Sequence, residues 1–358
     1  MGIYQAEDLQ TFVSQVLQKL DVQKEDAKVV AEGLIRANLE GLDSHGISRL
    51  VVYAARLQDK RINNHPDINI KMIAPSAILV DGDNGLGHVV AFRGLKEGIE
   101  VAKEQGLAAV SIHSSNHFGT ASYFCQLASQ EGMIFFACTN SPPGIAPWGG
   151  TKAFFGTNPL AFGFPAKDRT PVIIDMSTST VARGKIILAA KQEMLIPDGW
   201  ALDQHGNMTN DPNEALQGTI LPTGGAKGAA LALAVEILAG VLTGAAISPN
   251  VKNIYDEKLV GGADVGHFFL LLDSKVYKES TAYENRLNYL LNLMKGIPTS
   301  SSDKPIRYPG ERREKERKTR NHKGIELAES IYNELEQLGD ELGVMFPSSC
   351  EAMLKKKI

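Results

Sequence analysis

Leu9, Phe12, Val13, Val16, Leu17 and Leu20 recur at the i, i+3, i+4, i+7 spacing of one amphipathic helix. Residues 24–40 predict a second, with Val30, Leu34 and Ala37 along one stripe, and residues 47–58 a third. Asn63, Asn64 and Pro66 punctuate the end of this helical opening. The pattern then changes. Residues 68–73 and 77–80 read as strands and 89–105 as a helix, while 107–112, 133–139, 160–164 and 171–175 are short apolar runs between turn signals. Residues 122–130 and 180–190 read as helices, so the stretch from about 75 to 300 is a mixed α/β body. Residues 228–247 are nearly all apolar, but Glu236 sits near the middle and a charge there is costly in lipid. The stretch therefore predicts a closely packed buried helix and no membrane span. A dense charge run follows at 304–323, and Ile325, Ala328, Ile331, Tyr332, Leu335 and Leu338 mark a last amphipathic helix.

Composition narrows the class. The chain has 358 residues, 43% hydrophobic and 22% charged, which fits a globular protein of about two domains and excludes a disordered chain, a collagen or a simple coiled coil. Thirty-seven basic side chains stand against 41 acidic ones, and aromatics are only 7%, so neither charge nor stacking surface argues for nucleic acid. Cys125, Cys138 and Cys350 are too few and too scattered for a disulfide framework or a zinc site. They fit a reducing, cytoplasmic setting. The first residues lack the basic and apolar regions of a secretory leader. Gly85-Leu86-Gly87 begins like a dinucleotide fingerprint, but Val90 stands where the third glycine belongs. No phosphate-binding loop, zinc-protease motif or serine-hydrolase elbow is present.

Five constellations are able to carry chemistry. Asp43-Ser44-His45-Gly46 precedes Arg49 and Tyr53, which share a face if a helix begins near Ile47. An arginine fork matches a small carboxylate, whereas Asp43 or Ser44 also suits capping of that helix. Asn116-His117-Phe118-Gly119 follows a strand, and a histidine there is placed to exchange a proton near neutrality or to sit as a satisfied loop residue. The segment 148–160 offers glycines with Thr157 and Asn158 as short polar handles. Asp175-Met176-Ser177 ends an apolar strand, where a carboxylate accepts from ribose hydroxyls and the hydroxyl run equally serves a helix cap. Gly224-Gly225-Ala226-Lys227 opens the apolar helix, where amides and a lysine favour an anion. The run with Arg307, Arg312, Arg313, Arg317 and Arg320 reads first as a solvated helix with local ion pairs, against the alternative of a phosphate-facing edge whose basic residues near 307–313 would meet a 2'-phosphate.

In this order, the pieces resemble the type 2 malate/L-lactate dehydrogenase family, which is unrelated in fold to the Rossmann lactate and malate dehydrogenases. The resemblance runs from about residue 4 to about 342. It rests on Asp43-Ser44-His45-Gly46 with Arg49, Asn116-His117-Phe118-Gly119, Phe155-Gly156-Thr157-Asn158-Pro159, Asp175-Met176-Ser177, Ile196-Pro197-Asp198-Gly199-Trp200 and Lys227-Gly228. It implies an α+β fold that is not a Rossmann fold: a mixed, largely antiparallel sheet domain for the cofactor (75–303), beside a helical unit built from both chain ends (1–74 and 304–358). It implies NAD, or NADP, a homodimer, and a 2-hydroxy or 2-oxo acid substrate, with malate first and lactate, sulfolactate, ureidoglycolate and diketogulonate-type acids behind it. His117 matches the proton acceptor, and Ser44, His45 and Arg49 match the substrate pocket. Ser141, Asp175, Met176, Ser177 and Lys227 match cofactor contacts, and Gly310, Glu311 and Arg312 its far end. The family commonly writes Gly-Pro-Lys-Gly-Tyr-Gly where this chain has Gly225-Ala226-Lys227-Gly228-Ala229-Ala230. The tail beyond 343, with Cys350 and Lys355 to Lys357, matches no family role. The alternative from another class is a non-enzymatic metabolite-binding protein on the same fold. A metal lyase using His45 and His117 lacks a carboxylate–histidine cluster at ligand spacing.

Overall fold

A computed structural model describes residues 2–254, 256, 261–277, 280–300 and 305–350. The short strand β1 (Gly2–Tyr4) leads into α1 (Ala6–Lys19) and α2 (Lys24–Leu39). Two single 3-10 turns, Asp43–His45 and Ile47–Arg49, precede α3 (Leu50–Gln58). The third helix thus starts three residues later than the sequence pattern predicts, and neither Asp43 nor Ser44 caps it by a side-chain hydrogen bond. The apolar stripes read from the sequence are the buried ones: Leu9, Phe12, Val13, Val16 and Leu17 on α1, and Val30, Leu34 and Ala37 on α2.

The body is built on β2 (Asn69–Ala74), β3 (Ala77–Asp81), α4 (Gly87–Gln105), β4 (Leu107–Ser115), α5 (Ala121–Gln130), β5 (Met133–Thr139), β6 (Leu160–Phe164) and β7 (Val172–Met176). A smaller lobe follows with α6 (Arg183–Lys191), β8 (Ala201–Leu202), β9 (Met208–Thr209), α7 (Pro212–Gln217) and β10 (Thr219–Ile220). Then come α8 (Ala226–Glu236), β11 (Val265–Asp273), α9 (Ser274–Tyr277) and α10 (Ser280–Lys295). The chain ends in α11 (Glu311–Lys323), β12 (Ile325–Leu327) and α12 (Glu329–Leu342). Seven strands form one sheet in the order β2-β3-β4-β11-β5-β6-β7. Only β3 and β4 run parallel; the other five neighbouring pairs are antiparallel. The mixed, largely antiparallel sheet expected from the resemblance is therefore present. It begins at Asn69, so the expected division at residue 74 falls inside the β2–β3 hairpin.

One apolar core joins the chain ends, with Leu9, Phe12, Leu34 and Tyr53 packed among Ile325, Leu335, Leu338 and Val344. Residues 325–327, expected as the start of a helix, instead pair with β1, Gly2 opposite Leu327 and Tyr4 opposite Ile325. Strand geometry lets Ile325 and Leu327 both face the core while Glu326 points out. The tail gains a packing role: Phe346 meets Phe12 edge-on at 4.8 Å and Tyr4 at 5.3 Å. Cys350 is a free thiol reached by Gln5 Nε2 at 3.2 Å, and Lys355 to Lys357 lie outside the described residues. The apolar stretch 228–247 is not one helix. After α8 it widens into a π-helical turn, Ile237–Val241. Among the described residues no helix is long and apolar enough to cross a membrane.

Candidate active site

β4 ends at Ser115 and hands the chain to Asn116, His117, Phe118 and Gly119, which sit at the mouth of the sheet beside α3. Asn116 fixes this turn. Its Nδ2 donates to Asn84 O at 3.2 Å, Asn84 Oδ1 at 3.0 Å and Gly85 O at 2.9 Å. The first residue of α4 presses on the same backbone: a Cβ on Gly87 would lie 2.1 Å from Asn116 O and 2.5 Å from His117 O. Gly85 is crowded too, with Pro66 at 2.8 Å from such a Cβ. Both glycines of the incomplete fingerprint thus serve close packing.

His117 is half-buried, and its Nδ1 lies 2.7 Å from the Tyr53 hydroxyl. The His45 ring stands 5.8 Å from it, centroid to centroid. Ser44 Oγ is 2.9 Å from His45 Nδ1, and Arg49 Nε donates to Ser44 O at 2.6 Å. So the structure brings Ser44, His45, Arg49 and His117 together, with Tyr53 as the bridge from α3. Asn38 and Arg320 shape the turn that carries them. Asn38 Nδ2 donates to Asp43 Oδ1 at 2.7 Å, Ile47 N donates to Asn38 Oδ1 at 2.7 Å, and Arg320 donates to Asp43 Oδ1 and Oδ2 at 2.7 and 3.2 Å. The charge run does hold local ion pairs, Arg317 with Glu314 and Arg320 with Glu316, but Arg320 also reaches back to frame the pocket.

Two further histidines complete the cluster, and the sequence pattern passed over both. His267 lies inside β11, bridging Thr139 Oγ1 at 2.7 Å and Ser115 Oγ at 2.8 Å, its ring stacked 4.5 Å from Phe118. His88 sits in the first turn of α4, wedged where a Cβ on Gly33 or Gly119 would come within 2.5 or 2.4 Å of its ring. Its Nδ1 is buried and has no hydrogen-bond partner among the described residues, and the ring meets Tyr53 edge-on at 5.9 Å. The only sequence cue was a histidine at an inward position of each apolar pattern. Desolvation outweighs every charge here. Burial first, then Arg49, lowers His45 to about 4 against an opposing pull from Asp175. Burial holds His88 and His267 at about 3. His117 is pushed well below the ordinary imidazole value by burial, then by His45 and Arg49, while burial raises the Tyr53 phenol. The cluster is neutral rings beside one guanidinium.

A second group of predicted residues assembles on the adjoining loops. Ser141 Oγ accepts from Thr157 N at 3.0 Å. Thr157 O accepts from Thr178 N at 2.9 Å, and Thr178 O from Thr223 N at 2.9 Å. Ser179 Oγ donates to Ser177 Oγ at 2.9 Å. The loops bearing Ser141, Ser177 and Lys227 are thereby laced side by side. Lys227 is exposed in the first turn of α8, after Gly224 and Gly225 at φ of 63° and 65°. Met176 is 47% exposed at the end of β7. Asp175 belongs to both groups. Its Oδ2 accepts from Ser122 N at 2.9 Å, at the start of α5, and pairs with Arg313 Nη1 at 3.5 Å. Arg313 stands among the basic residues of 307–313 expected to suit a 2'-phosphate, and its pairing with Asp175 is the unexpected part.

The predicted far-end residues are placed less directly. Gly310, at φ 107°, closes against Pro171 O and starts α11. Glu311 is engaged by Tyr308 N at 3.1 Å and by Lys295. Arg312 is exposed and lines, with Arg307, Arg313 and Asp175, a cavity of about 370 Å³. Among the described residues no group of three or more His, Cys, Asp or Glu side chains is arranged to hold a metal ion.

Comparison with known proteins places the chain as a whole. The family model described as malate/L-lactate dehydrogenase matches residues 4–336. The chain is 37% identical over 342 residues to the malate/(S)-sulfolactate dehydrogenase of Methanothermus fervidus, covering 96% of this chain and 98% of that one. It is 31% identical over 329 residues to the ureidoglycolate dehydrogenase (NAD(+)) of Escherichia coli K12, covering 92% and 93%. The solved structure of sulfolactate dehydrogenase from Methanocaldococcus jannaschii superposes with a TM-score of 0.90 at 35% identity, covering 97% of this chain and 98% of that chain. A match spanning nearly the whole chain in sequence, and again in fold, makes this protein a member of the malate/L-lactate dehydrogenase family, an oxidoreductase of 2-hydroxy acids.

Proposed function

We propose that the protein interconverts a 2-hydroxy acid and its 2-oxo acid with a nicotinamide dinucleotide, malate and oxaloacetate being the favoured pair. The observation that carries this reading is the cluster of His117, Tyr53, His45 and Arg49, in which a neutral imidazole stands beside a guanidinium. The malate preference draws on relatives such as the Methanothermus fervidus enzyme.

The second group of residues fits a dinucleotide. It offers the hydroxyls of Ser141 and Ser177, an exposed Lys227, a glycine turn with open space at Gly224, and the exposed side chain of Met176. Neutral donors and one cation suit ribose and diphosphate, and Arg307 and Arg312 suit further negative charge. When bound, the cofactor supplies the hydride acceptor or donor. NAD is the first choice, with NADP the alternative that the two exposed arginines keep in view.

The chain's own residues handle the acid and the proton. Arg49 grips the C1 carboxylate with its planar fork, while Ser44 and His45 orient the substrate. His117 takes the hydroxyl proton at Nε2. That atom needs a free lone pair, so Nδ1 carries the hydrogen and donates to the Tyr53 oxygen. Burial keeps the Tyr53 phenol protonated, leaving its own hydrogen to point into the pocket. In the reverse direction His117 returns the proton to the alkoxide.

Two exposed apolar faces support assembly as a homodimer. Leu231, Leu233, Ile237, Val241 and Leu242 cover one side of α8 and its π-turn, and Ile187, Leu188 and Leu195 lie on and just after α6. The buried thiols Cys125 and Cys138 are in keeping with a cytoplasmic setting.

The test follows absorbance at the reduced-nicotinamide band with a panel of 2-oxo acids, each cofactor in turn, and a chelator. We expect turnover of oxaloacetate that survives chelation. Turnover abolished by chelator would favour metal chemistry, and no turnover with any acid, alongside retained binding, would favour a metabolite-binding protein.

A further inference from the structure

Glu236 is 4% exposed, at the point where α8 gives way to its π-turn. Its Oε1 accepts from Ser248 N at 2.6 Å and from Asn140 Nδ2 at 3.2 Å. Its Oε2 accepts from Asn158 Nδ2 at 2.8 Å and from Ser248 Oγ. All four partners are donors, and among the described residues no lysine or arginine pairs with it. A buried carboxylate is costly unless hydrogen-bonded, and an apolar side chain would pack this helix more cheaply. What the carboxylate adds is a joint between three loops.

Those loops lead to the cofactor-facing residues. Asn140 immediately precedes Ser141, and Asn158 immediately follows Thr157, whose amide donates to Ser141 Oγ at 3.0 Å. Asn140 also donates to Ala246 O at 2.6 Å and accepts from Gly266 N at 3.0 Å, so it hangs between Glu236 and the start of β11. Ser248 Oγ accepts from Gly156 N at 3.0 Å, tying the third loop to the second. Asn158 holds a left-handed backbone, φ 35°, a region uncommon outside glycine that asparagine enters with the restraint of local side-chain hydrogen bonds. Its side chain supplies that restraint through Glu236 and Ala232 O, the latter at 3.0 Å. A π-turn beside such a joint is the kind of irregularity that places one side chain at the expense of helix regularity.

We infer that Glu236 is a positioning residue for the nicotinamide cofactor: one carboxylate sets the loops that present Ser141 and Thr157. This rests on the functional reading above, in which those loops face the cofactor. Among the described residues Glu236 bonds only to Asn140, Asn158 and Ser248 and not to the pocket around Arg49, so its effect divides cofactor from substrate.

The experiment titrates the full-length protein with NAD and NADP by calorimetry, wild type against Glu236→Gln, with thermal melting and steady-state kinetics alongside. The glutamine turns an amide toward a cluster made only of donors. The expected result is cofactor binding weakened roughly tenfold or more, with the KM for the 2-oxo acid at saturating cofactor held within roughly twofold. A lowered melting point with unchanged cofactor affinity would overturn the inference, since a purely structural role does only that. Should Glu236→Gln fail to fold, Ser248→Ala removes one donor and the Gly156 acceptor, and is expected to weaken cofactor binding by roughly threefold to tenfold. Unchanged affinity in that variant also overturns the inference. Wild-type protein that binds neither cofactor would overturn the functional reading and this inference together; binding by wild type with no change in either variant would overturn the inference alone.

Discussion

In the proposed reaction His117 enters as a neutral ring, because burial and then the nearby His45 and Arg49 hold its pKa well below the ordinary imidazole value. The sign follows directly. A lowered pKa leaves Nε2 unprotonated across the neutral range, which is the form that accepts a proton. The kcat/KM for hydroxy-acid oxidation is therefore expected to stay level as pH falls through about 6.5, with its acid limb displaced below the ordinary imidazole value. An inflection near 6.5 in that profile would contradict the assignment. The reductive direction needs the proton in place and should quicken toward acid pH. His117→Ala is expected to lower kcat by roughly 10²- to 10⁴-fold while calorimetry finds cofactor binding retained. Arg49→Ala should raise the KM for the 2-oxo acid, and Arg49→Lys should restore only part of it, because an ammonium is a point charge and not a fork. Equal KM values in the three proteins would remove Arg49 from carboxylate binding.

The turn that carries His117 is seated by Gly87, the first residue of α4. Gly87→Ala would drive a methyl into the carbonyls of Asn116 and His117, and backbone cannot swing aside as a long side chain can. We expect a loss on the order of 1–3 kcal/mol in urea unfolding, accompanied by a fall in kcat. Gly132→Ala is the control: φ is 79° but no described residue lies within 4 Å of the added methyl, so it should cost about 1–2 kcal/mol of backbone strain and leave kcat alone. If the two variants lost activity alike, the seat would not matter. These elements also show what a sequence makes legible. The stripes of α1 and α2, the strand runs and the order of the site segments were readable because burial imposes a period or because glycine and proline mark the turns. His88 and His267 were not, since each sits at an inward position of an otherwise apolar pattern and nothing local reports the ring across the sheet. Residues 325–327 misled for the opposite reason: Ile325, Ala328, Ile331 and Leu335 keep helical spacing, but the partner of Ile325 and Leu327 is β1, more than three hundred residues away in sequence. The framing of the pocket by Arg320, and the Arg313–Asp175 pair, were invisible for the same reason of distance.

Taken as a whole, the molecule buries several imidazoles in one place, and its response to acid follows. His88 and His267 titrate at about 3 in the folded chain, against about 6.5 when unfolded. Between those values the unfolded chain binds protons that the native one refuses. Stability is fully present above about pH 6.5 and drains away as pH falls toward 3, at about 1.4 kcal/mol per pH unit for each ring. Urea unfolding at pH 6 and pH 5 should show this, and His88→Gln should flatten the slope by one proton; an unchanged slope would mean that His88 is not buried neutral. The apolar cover of α8 predicts a dimer by sedimentation, and Leu231→Asp with Val241→Asp should release monomers. Wild-type monomer at micromolar concentration would leave that face without its proposed role. The β1–β12 clasp has a consequence of its own. During synthesis the ribosome delivers the first helices and then the whole sheet, which is complete by Asp273, so α1 and α2 wait with one flank uncovered until Ile325, Leu335 and Val344 arrive. The nascent sheet can assemble early, yet the turn that carries Arg49 gains its frame only once Arg320 has emerged, so the pocket proposed for the substrate takes shape after the sheet it sits on.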